Sequence, residues 1–431
     1  MEERFLLPEA AKNRLRSGAF DDRLNAWYGV SGDALQPYRA RIAAAVDRFA
    51  EQYGAMPLRI FSVSGRTELG GNHTDHQHGC VLAGGITPDL IAVAARTDDR
   101  MIRVQSEGYP EETVSPDARA VQSGEQGTSR ALIRGTAAGL AARGAEVGGF
   151  AAYAVSDVQK GSGLSSSAAY EVMLGTVCND LFAEGALSMQ DIAVTGQYAE
   201  NEYFGKPCGL MDQMACALGG AVYMDFADPA SPVWERVPLD LRAEGYALCI
   251  IDSGADHADL TEEYAAVPAE MKAVAQALGK KVLRETDEEQ FWAELPALRR
   301  SCGDRAVLRA MHFYRENRRV QQQAEALKTG DFARYLHLVN ESGRSSVLAL
   351  QNITPCGSSR EQAVAAALAL CESLLDGAGA YRVHGGGFAG TVQAYVPAEM
   401  LSAFRGRTDA LLGQGSCRVM QIRKCGASAL W

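Results

Sequence analysis

The run Lys160-Gly161-Ser162-Gly163-Leu164-Ser165-Ser166-Ser167-Ala168-Ala169 stands directly before apolar residues at helical spacing, Leu174, Val177 and Leu181. Glycine lets a backbone turn tightly and approach a ligand closely. Serine is a preferred residue where a helix begins. The first turn of a helix offers free N–H groups and a partial positive charge, which suit a phosphate. The Gly-Lys-Ser/Thr ending of the common phosphate loop is missing. A Gly/Ser run can also be a flexible linker, but this one passes straight into an Ala-rich apolar helix. It reads as a phosphate cradle.

Three further segments could carry chemistry. Gly65-Arg66-Thr67-Glu68-Leu69-Gly70-Gly71-Asn72-His73-Thr74-Asp75-His76-Gln77-His78-Gly79 reads as a polar loop. Its histidines and Asp75 could bind zinc, but their spacing fits neither a helix face nor a hairpin. A loop that hydrogen-bonds sugar hydroxyls through carboxylate, amide and imidazole groups suits them better. In Cys208-Gly209-Leu210-Met211-Asp212-Gln213, Asp212 is a carboxylate in an apolar stretch. Such a group is costly to bury without a partner; it is either a helix-start residue or a catalytic base. Glu200 precedes it near the end of a helix. In Tyr381-Arg382-Val383-His384-Gly385-Gly386-Gly387-Phe388-Ala389-Gly390-Thr391 the glycines predict a backbone packed closely against something.

The elements that hold these segments mix helices and strands without regular alternation, which gives an α+β class. Periodicity predicts helices over 37–54, 130–143, 168–183, 189–203, 211–218 and 361–375, with mainly helical structure over 261–330. Strands are predicted over 58–63, 91–95, 101–104, 150–155, 220–226 and 246–252. A chain of 431 residues exceeds one core and implies two domains, placed at 1–226 and 227–431. The net charge of −11 argues against a nucleic-acid partner. No apolar run of ~18 residues predicts a membrane span. The acidic N-terminus does not read as a secretory signal. Ten cysteines without a Cys-x-x-Cys pair fit free thiols in a cytoplasmic protein. A monomer is the default expectation.

Taken in order, these segments resemble the GHMP small-molecule kinase superfamily, and within it galactokinase. Gly163 to Ala168 matches the Gly-Leu-Ser-Ser-Ser-Ala phosphate motif, and Cys208 to Gln213 matches Cys-Gly-Ile-Met-Asp-Gln. Gly65 to His76 follows Gly-Arg-Val-Asn-Leu-Ile-Gly-Glu-His-Thr-Asp-Tyr, and Arg382 to Gly390 follows Arg-Met-Thr-Gly-Gly-Gly-Phe-Gly-Gly. The resemblance implies a two-domain fold with the active site between the domains. It also implies phosphorylation of a sugar's anomeric hydroxyl by ATP with Mg²⁺. By position, Asp212 would be the catalytic base and Arg66 its neighbour. Glu200 and Ser166 would hold Mg²⁺. Lys160, Gly161, Ser162, Gly163, Leu164, Ser165, Ser166, Ser167 and Ala168 would bind the nucleotide. Asn72, His73, Asp75, Gly209 and Tyr264 would bind the sugar.

The departures concern the sugar. Asn72 replaces the signature's glutamate, Glu68 its asparagine and His76-Gln77 its Tyr-Asn. Tyr264 is followed by Ala265-Ala266-Val267-Pro268 instead of Asn-x-Arg-Arg. A missing carboxylate at residue 72 would remove repulsion against a uronic acid. Galactose is therefore set beside a C6-modified sugar such as galacturonate, and beside a non-catalytic sensor of sugar and ATP.

Overall fold

The computed structural model describes residues 4–158, 163–255 and 260–431. Lys160, Gly161 and Ser162 of the expected nucleotide site lie outside the described residues. The strands are β1 (Arg59–Gly70), β2 (Cys80–Thr97), β3 (Ile102–Ser106), β4 (Glu112–Val114), β5 (Gly149–Ser156), β6 (Ala221–Asp225) and β7 (Val233–Val237). The remaining strands are β8 (Tyr246–Asp252), β9 (Ala380–His384), β10 (Thr391–Pro397), β11 (Cys417–Met420) and β12 (Ser428–Ala429). They form two sheets. The first runs β12-β1-β2-β5-β3-β4, with β6 on the early part of β2 and β7 beside β6. The second runs β11-β8-β10-β9 and is antiparallel throughout.

Alternation along the central strands explains why the first sheet is covered on both faces. Ile60, Ile91, Val93, Ala95, Ala151 and Tyr153 face a layer with Leu24, Trp27, Ile42 and Phe49 from the N-terminal helices. Phe61, Val63, Ala92, Ala94, Ala152 and Ala154 face Val172, Met173, Leu174 and Val177 of the helix Ser166–Ala183. A strand sends successive side chains to opposite faces, so both layers come from one apolar run. The helix Ser166–Ala183 is apolar nearly all round and packs on β1, β2 and three neighbouring helices. That burial holds its N-terminus in place.

The long helix Asp304–Lys328 packs on β1, β2, β6 and β7. Its neighbour Phe332–Ser345 packs on β9 and β1, tying the second sheet to the first. β7 and β12 both join the first sheet, so strands from beyond residue 226 cross the expected boundary.

Most predicted elements are present within a few residues. One difference bears on the site: the expected loop from Gly65 is strand as far as Gly70, buried throughout, with irregularities after Ser64 and Glu68. The loop proper is Gly71–Gly79, with a short 3-10 turn at Asp75–Gln77. Pairing with β2 satisfies the backbone of these polar residues, and local polarity gives no hint of that. The helices Pro8–Arg16, Asp21–Tyr28 and Leu401–Leu412 had no counterpart in the sequence expectation.

Candidate active site

The phosphate motif enters its helix through two left-handed residues, Gly163 (φ 70°) and Ser165 (φ 59°). A Cβ on Gly163 would stand 2.8 Å from the Thr391 hydroxyl of the second sheet, so this position demands glycine. No side chain caps the helix Ser166–Ala183. The Ser165 hydroxyl instead donates to Asp212 Oδ2. The first-turn N–H groups are thereby left without a side-chain cap, as an anion site requires.

Asp212 lies in the first turn of the helix Met211–Leu218. Arg66, on β1, donates from Nε to its Oδ1 (2.5 Å) and from Nη2 to its Oδ2 (2.9 Å), and from Nη1 to the Gly163 carbonyl. Burial pushes the Asp212 carboxyl up. The Arg66 charge and the hydrogen bonds from Arg66 and Ser165 outweigh it, so the group is held below the ordinary carboxylate range. The carboxylate partner whose absence would have made Asp212 costly is therefore Arg66, 146 residues away in sequence.

Glu200 sits in a π-helical turn, Ala199–Phe204. Its Oε1 accepts from Ser167 Oγ (3.2 Å) and Lys206 Nζ (3.1 Å), and its Oε2 from Gln213 Nε2 (3.0 Å). Ser167, rather than the expected Ser166, is the motif serine that meets Glu200: successive helix positions are turned about 100° from each other. The same Gln213 amide nitrogen donates to Glu171 (2.9 Å), a fully buried carboxyl that burial and the Glu200 charge push well above its ordinary value. Gln213 ends the motif quoted above and Lys206 stands two residues before it, but the sequence attaches no role to either; Glu171 reads as one more residue of a buried helix.

A second group of residues surrounds the loop Gly71–Gly79. Asp75 Oδ2 lies where a Cβ on Gly209 would stand (1.7 Å), so only glycine permits this approach. The loop is thereby brought against the segment leading to Asp212. His73 Nε2 donates to the Gly386 carbonyl (3.0 Å), which fixes the neutral tautomer. Burial and neighbouring His76 lower its pKa to about 3. The Tyr264 hydroxyl donates to the Gly387 carbonyl (2.9 Å). A Cβ on Gly386 would stand 2.6 Å from the Tyr264 ring, which accounts for glycine there. Burial pushes the Tyr264 phenol up to about 12.

Asn72 lies behind these groups and is 1 % exposed. Its Nδ2 donates to the Glu68 carboxylate (3.1 Å) and the Gly385 carbonyl (2.6 Å), and its Oδ1 accepts from Asn352 (2.7 Å). Glu68 pairs with Arg382 at 2.5 Å, both fully buried. His312 holds the Asn72 carbonyl (3.0 Å), and Glu316 accepts from the Gly71 N–H (3.0 Å). Sequence reading missed Glu68's partner, His312, Glu316 and Asn352, because each is distant along the chain. Among the described residues no three His, Cys, Asp or Glu side chains are arranged to hold a metal ion, so the histidine loop has no geometric basis as a zinc site.

Comparison with known proteins gives the family. The family profile described as the galactokinase galactose-binding signature matches residues 47–96, and that of the GHMP kinase N-terminal domain matches 131–220. A galactokinase of Streptomyces coelicolor is 32% identical over 83% of this chain and 89% of its own. The chain belongs to the galactokinase family. A galactokinase of Glaesserella parasuis is 31% identical over 83% of this chain and 90% of its own. The crystal structure of Lactococcus lactis galactokinase complexed with galactose superposes with a TM-score of 0.78 at 26% identity, covering 90% of this chain and 99% of that one. The crystal structure of L. major mevalonate kinase in complex with R-mevalonate shares the fold at a TM-score of 0.57 and 14% identity, covering 86% of this chain and 96% of that one. The α+β GHMP kinase fold is thus shown, and the protein is a sugar kinase that uses ATP. Among the described residues no helix is long and apolar enough to cross a membrane.

Proposed function

We propose that this protein transfers the γ-phosphate of ATP to the anomeric hydroxyl of galactose. The observation that carries the reading is Asp212, held ionised by Arg66 and Ser165 beside the uncapped start of the helix Ser166–Ala183. Phosphoryl transfer needs alignment and charge neutralisation more than a strong base. A carboxylate of low pKa, fixed in position, can accept the hydroxyl proton late in the reaction. The N–H groups at residues 166–168 would face the phosphates.

The residues present fit Mg²⁺. Glu200 and Ser167 supply hard oxygen donors on one side of the open helix end, and a phosphate-bound ion needs only one or two protein ligands. Bound there, the ion would neutralise charge on the transferring phosphate. Glu200, positioned by Gln213, and Ser167 would hold it. At the other end, His73, Asp75 and Tyr264 would frame the sugar, with Gly209 giving Asp75 room. Asn72 would act from behind, fixing the loop. The uronic-acid reading loses its basis, because Asn72 is buried and its amide is spent on Glu68, Gly385 and Asn352.

The test is ADP release with Mg²⁺ and a panel of galactose, galacturonate, glucose, N-acetylgalactosamine and arabinose. Turnover of galactose well above the others is the expected result. Preference for galacturonate, or sugar binding without turnover, would overturn the reading.

A further inference from the structure

Lys206 has no part in the chemistry described so far, yet the backbone places it on the Glu200 carboxylate. The chain leaves the π-helical turn through Gly205 (φ 84°), and the N–H groups of Gly205 and Lys206 both return to the Glu200 carbonyl, at 3.0 and 3.1 Å. Pro207 follows. Lys206 is thereby set over Glu200 by main-chain hydrogen bonds, before its side chain is considered. Its ammonium then lies 3.1 Å from Oε1, the oxygen that also takes the Ser167 hydroxyl. The two partners differ sharply in exposure: the lysine side chain is 62% exposed and the glutamate 4%. The carboxylate is enclosed by protein, whereas the lysine side chain reaches it from the solvent side.

We propose that Lys206 is a phosphate-contacting residue that occupies the metal-facing oxygen of Glu200 until metal and nucleotide arrive. The proposal rests on the phosphoryl-transfer reading. A divalent cation taking Oε1 would meet the ammonium at the same oxygen, and two like charges cannot share it cheaply. The displaced ammonium is next to the uncapped helix start, where a triphosphate would bring anionic oxygens. Arg66 is less available for them, since its guanidinium is committed to Asp212 and the Gly163 carbonyl. Lys206 commits one donor of three to a partner it can exchange.

The proposal makes opposite predictions for metal and for nucleotide. Mn²⁺ binding to the full-length protein without nucleotide, followed by electron paramagnetic resonance, should tighten several-fold in Lys206→Met, because the competing ammonium is gone. Mg·ATP binding, followed by calorimetry without sugar, should weaken about tenfold, the order expected for one charge-assisted phosphate contact. Lys206→Arg should restore most of the nucleotide affinity. A purely structural role would weaken both, and that result would overturn the proposal. So would unchanged Mg·ATP binding in Lys206→Met. Failure of the unaltered protein to bind Mg·ATP would instead sink the phosphoryl-transfer reading, and this inference with it.

Discussion

In the proposed site, residues 163–213 would supply the phosphate end almost alone: Gly163, the motif serines, Glu200, Lys206, Asp212 and Gln213 all come from one stretch of chain. Arg66 is the addition from β1. The sugar end is assembled otherwise. There the loop Gly71–Gly79 is held by Glu316 and His312 from the helix Asp304–Lys328, by Asn352, and by the carbonyls of Gly385 and Gly386. At the phosphate end Asp212 and Lys206 are partly exposed, and the buried Glu200 carboxylate is engaged with Lys206 and Ser167 in contacts that ligands can exchange. At the sugar end the charges, Glu68 with Arg382 and Glu316 with Arg319, are buried and engaged with each other. One end is therefore suited to taking up and releasing highly charged ligands. The other acts as a rigid mould whose stability and shape are a single property.

If that contrast holds, mutations at the two ends should separate catalysis from stability. The largest effect is expected for Asp212→Asn. Loss of a positioned proton acceptor should reduce kcat roughly 10²–10⁴-fold. Galactose binding and the thermal midpoint should change little, because Arg66 retains Gly163 and the amide retains most of the shape. A large drop in thermal midpoint would show that the phosphate end is structural too, and would break the comparison.

The exchange of Glu68 and Asn72 tests the other end. The signature this chain resembles carries asparagine and glutamate at these two positions, in the opposite order. Asn72→Glu alone would bury a second carboxylate beside Glu68 with one arginine, Arg382, to serve both. Leaving a buried charge uncompensated costs about 3 kcal/mol or more. A lower thermal midpoint and a raised galactose KM are expected, with no gain in selectivity against galacturonate. The double variant Glu68→Asn, Asn72→Glu keeps one carboxylate and one amide across the same contact, and should recover most of the loss. Additive losses in the double variant would show that the two residues act independently.

How legible these ends were in the sequence follows the same division. The phosphate motif, Glu200 and Asp212 could be found because glycines, serines and carboxylates are close together and a helix follows them. The sugar end showed only half of itself. The sequence displays polar residues from Gly65 to Gly79, but their strand character, their burial and their partners depend on residues as far as 326 positions away. Glu68 read as one more polar residue, although Arg382 and Asn72 engage it completely. Asn72 read as a specificity residue because nothing local shows that its amide is spent. The α+β class and most core elements were legible from periodicity, which is local; the tie between the two sheets through the helices at 304–345 was not.

Glu316 offers a smaller and more gradual test. Burial raises its pKa, but Arg319, His312 and Arg382 with the Ser342 hydrogen bond bring it down from 4.5 to about 2. Its folded-state pKa lies below the unfolded value, so its contribution is complete above about pH 4.5 and is lost as pH falls toward 2. That shift corresponds to about 3 kcal/mol of stability at neutral pH. Denaturant titrations should show the unaltered protein losing more stability than Glu316→Gln between these limits. Parallel losses in the two proteins would remove Glu316 from the acid response.

The smallest expected effect is none. A histidine facing a sugar would ordinarily bring a pH dependence near neutrality, since its unperturbed pKa lies there. His73 is buried, next to His76, and its Nε2 proton is spent on the Gly386 carbonyl, which together keep it neutral down to about pH 3. Its ring should therefore show no titration by NMR between pH 5 and 8, and the galactose KM should show no step assignable to it. A His73 midpoint near 6 would mean that the ring is wetter and less firmly held than the rest of the mould. The sugar end would then share the exchangeable character of the phosphate end, and the division between them would fail at a residue proposed to frame the sugar.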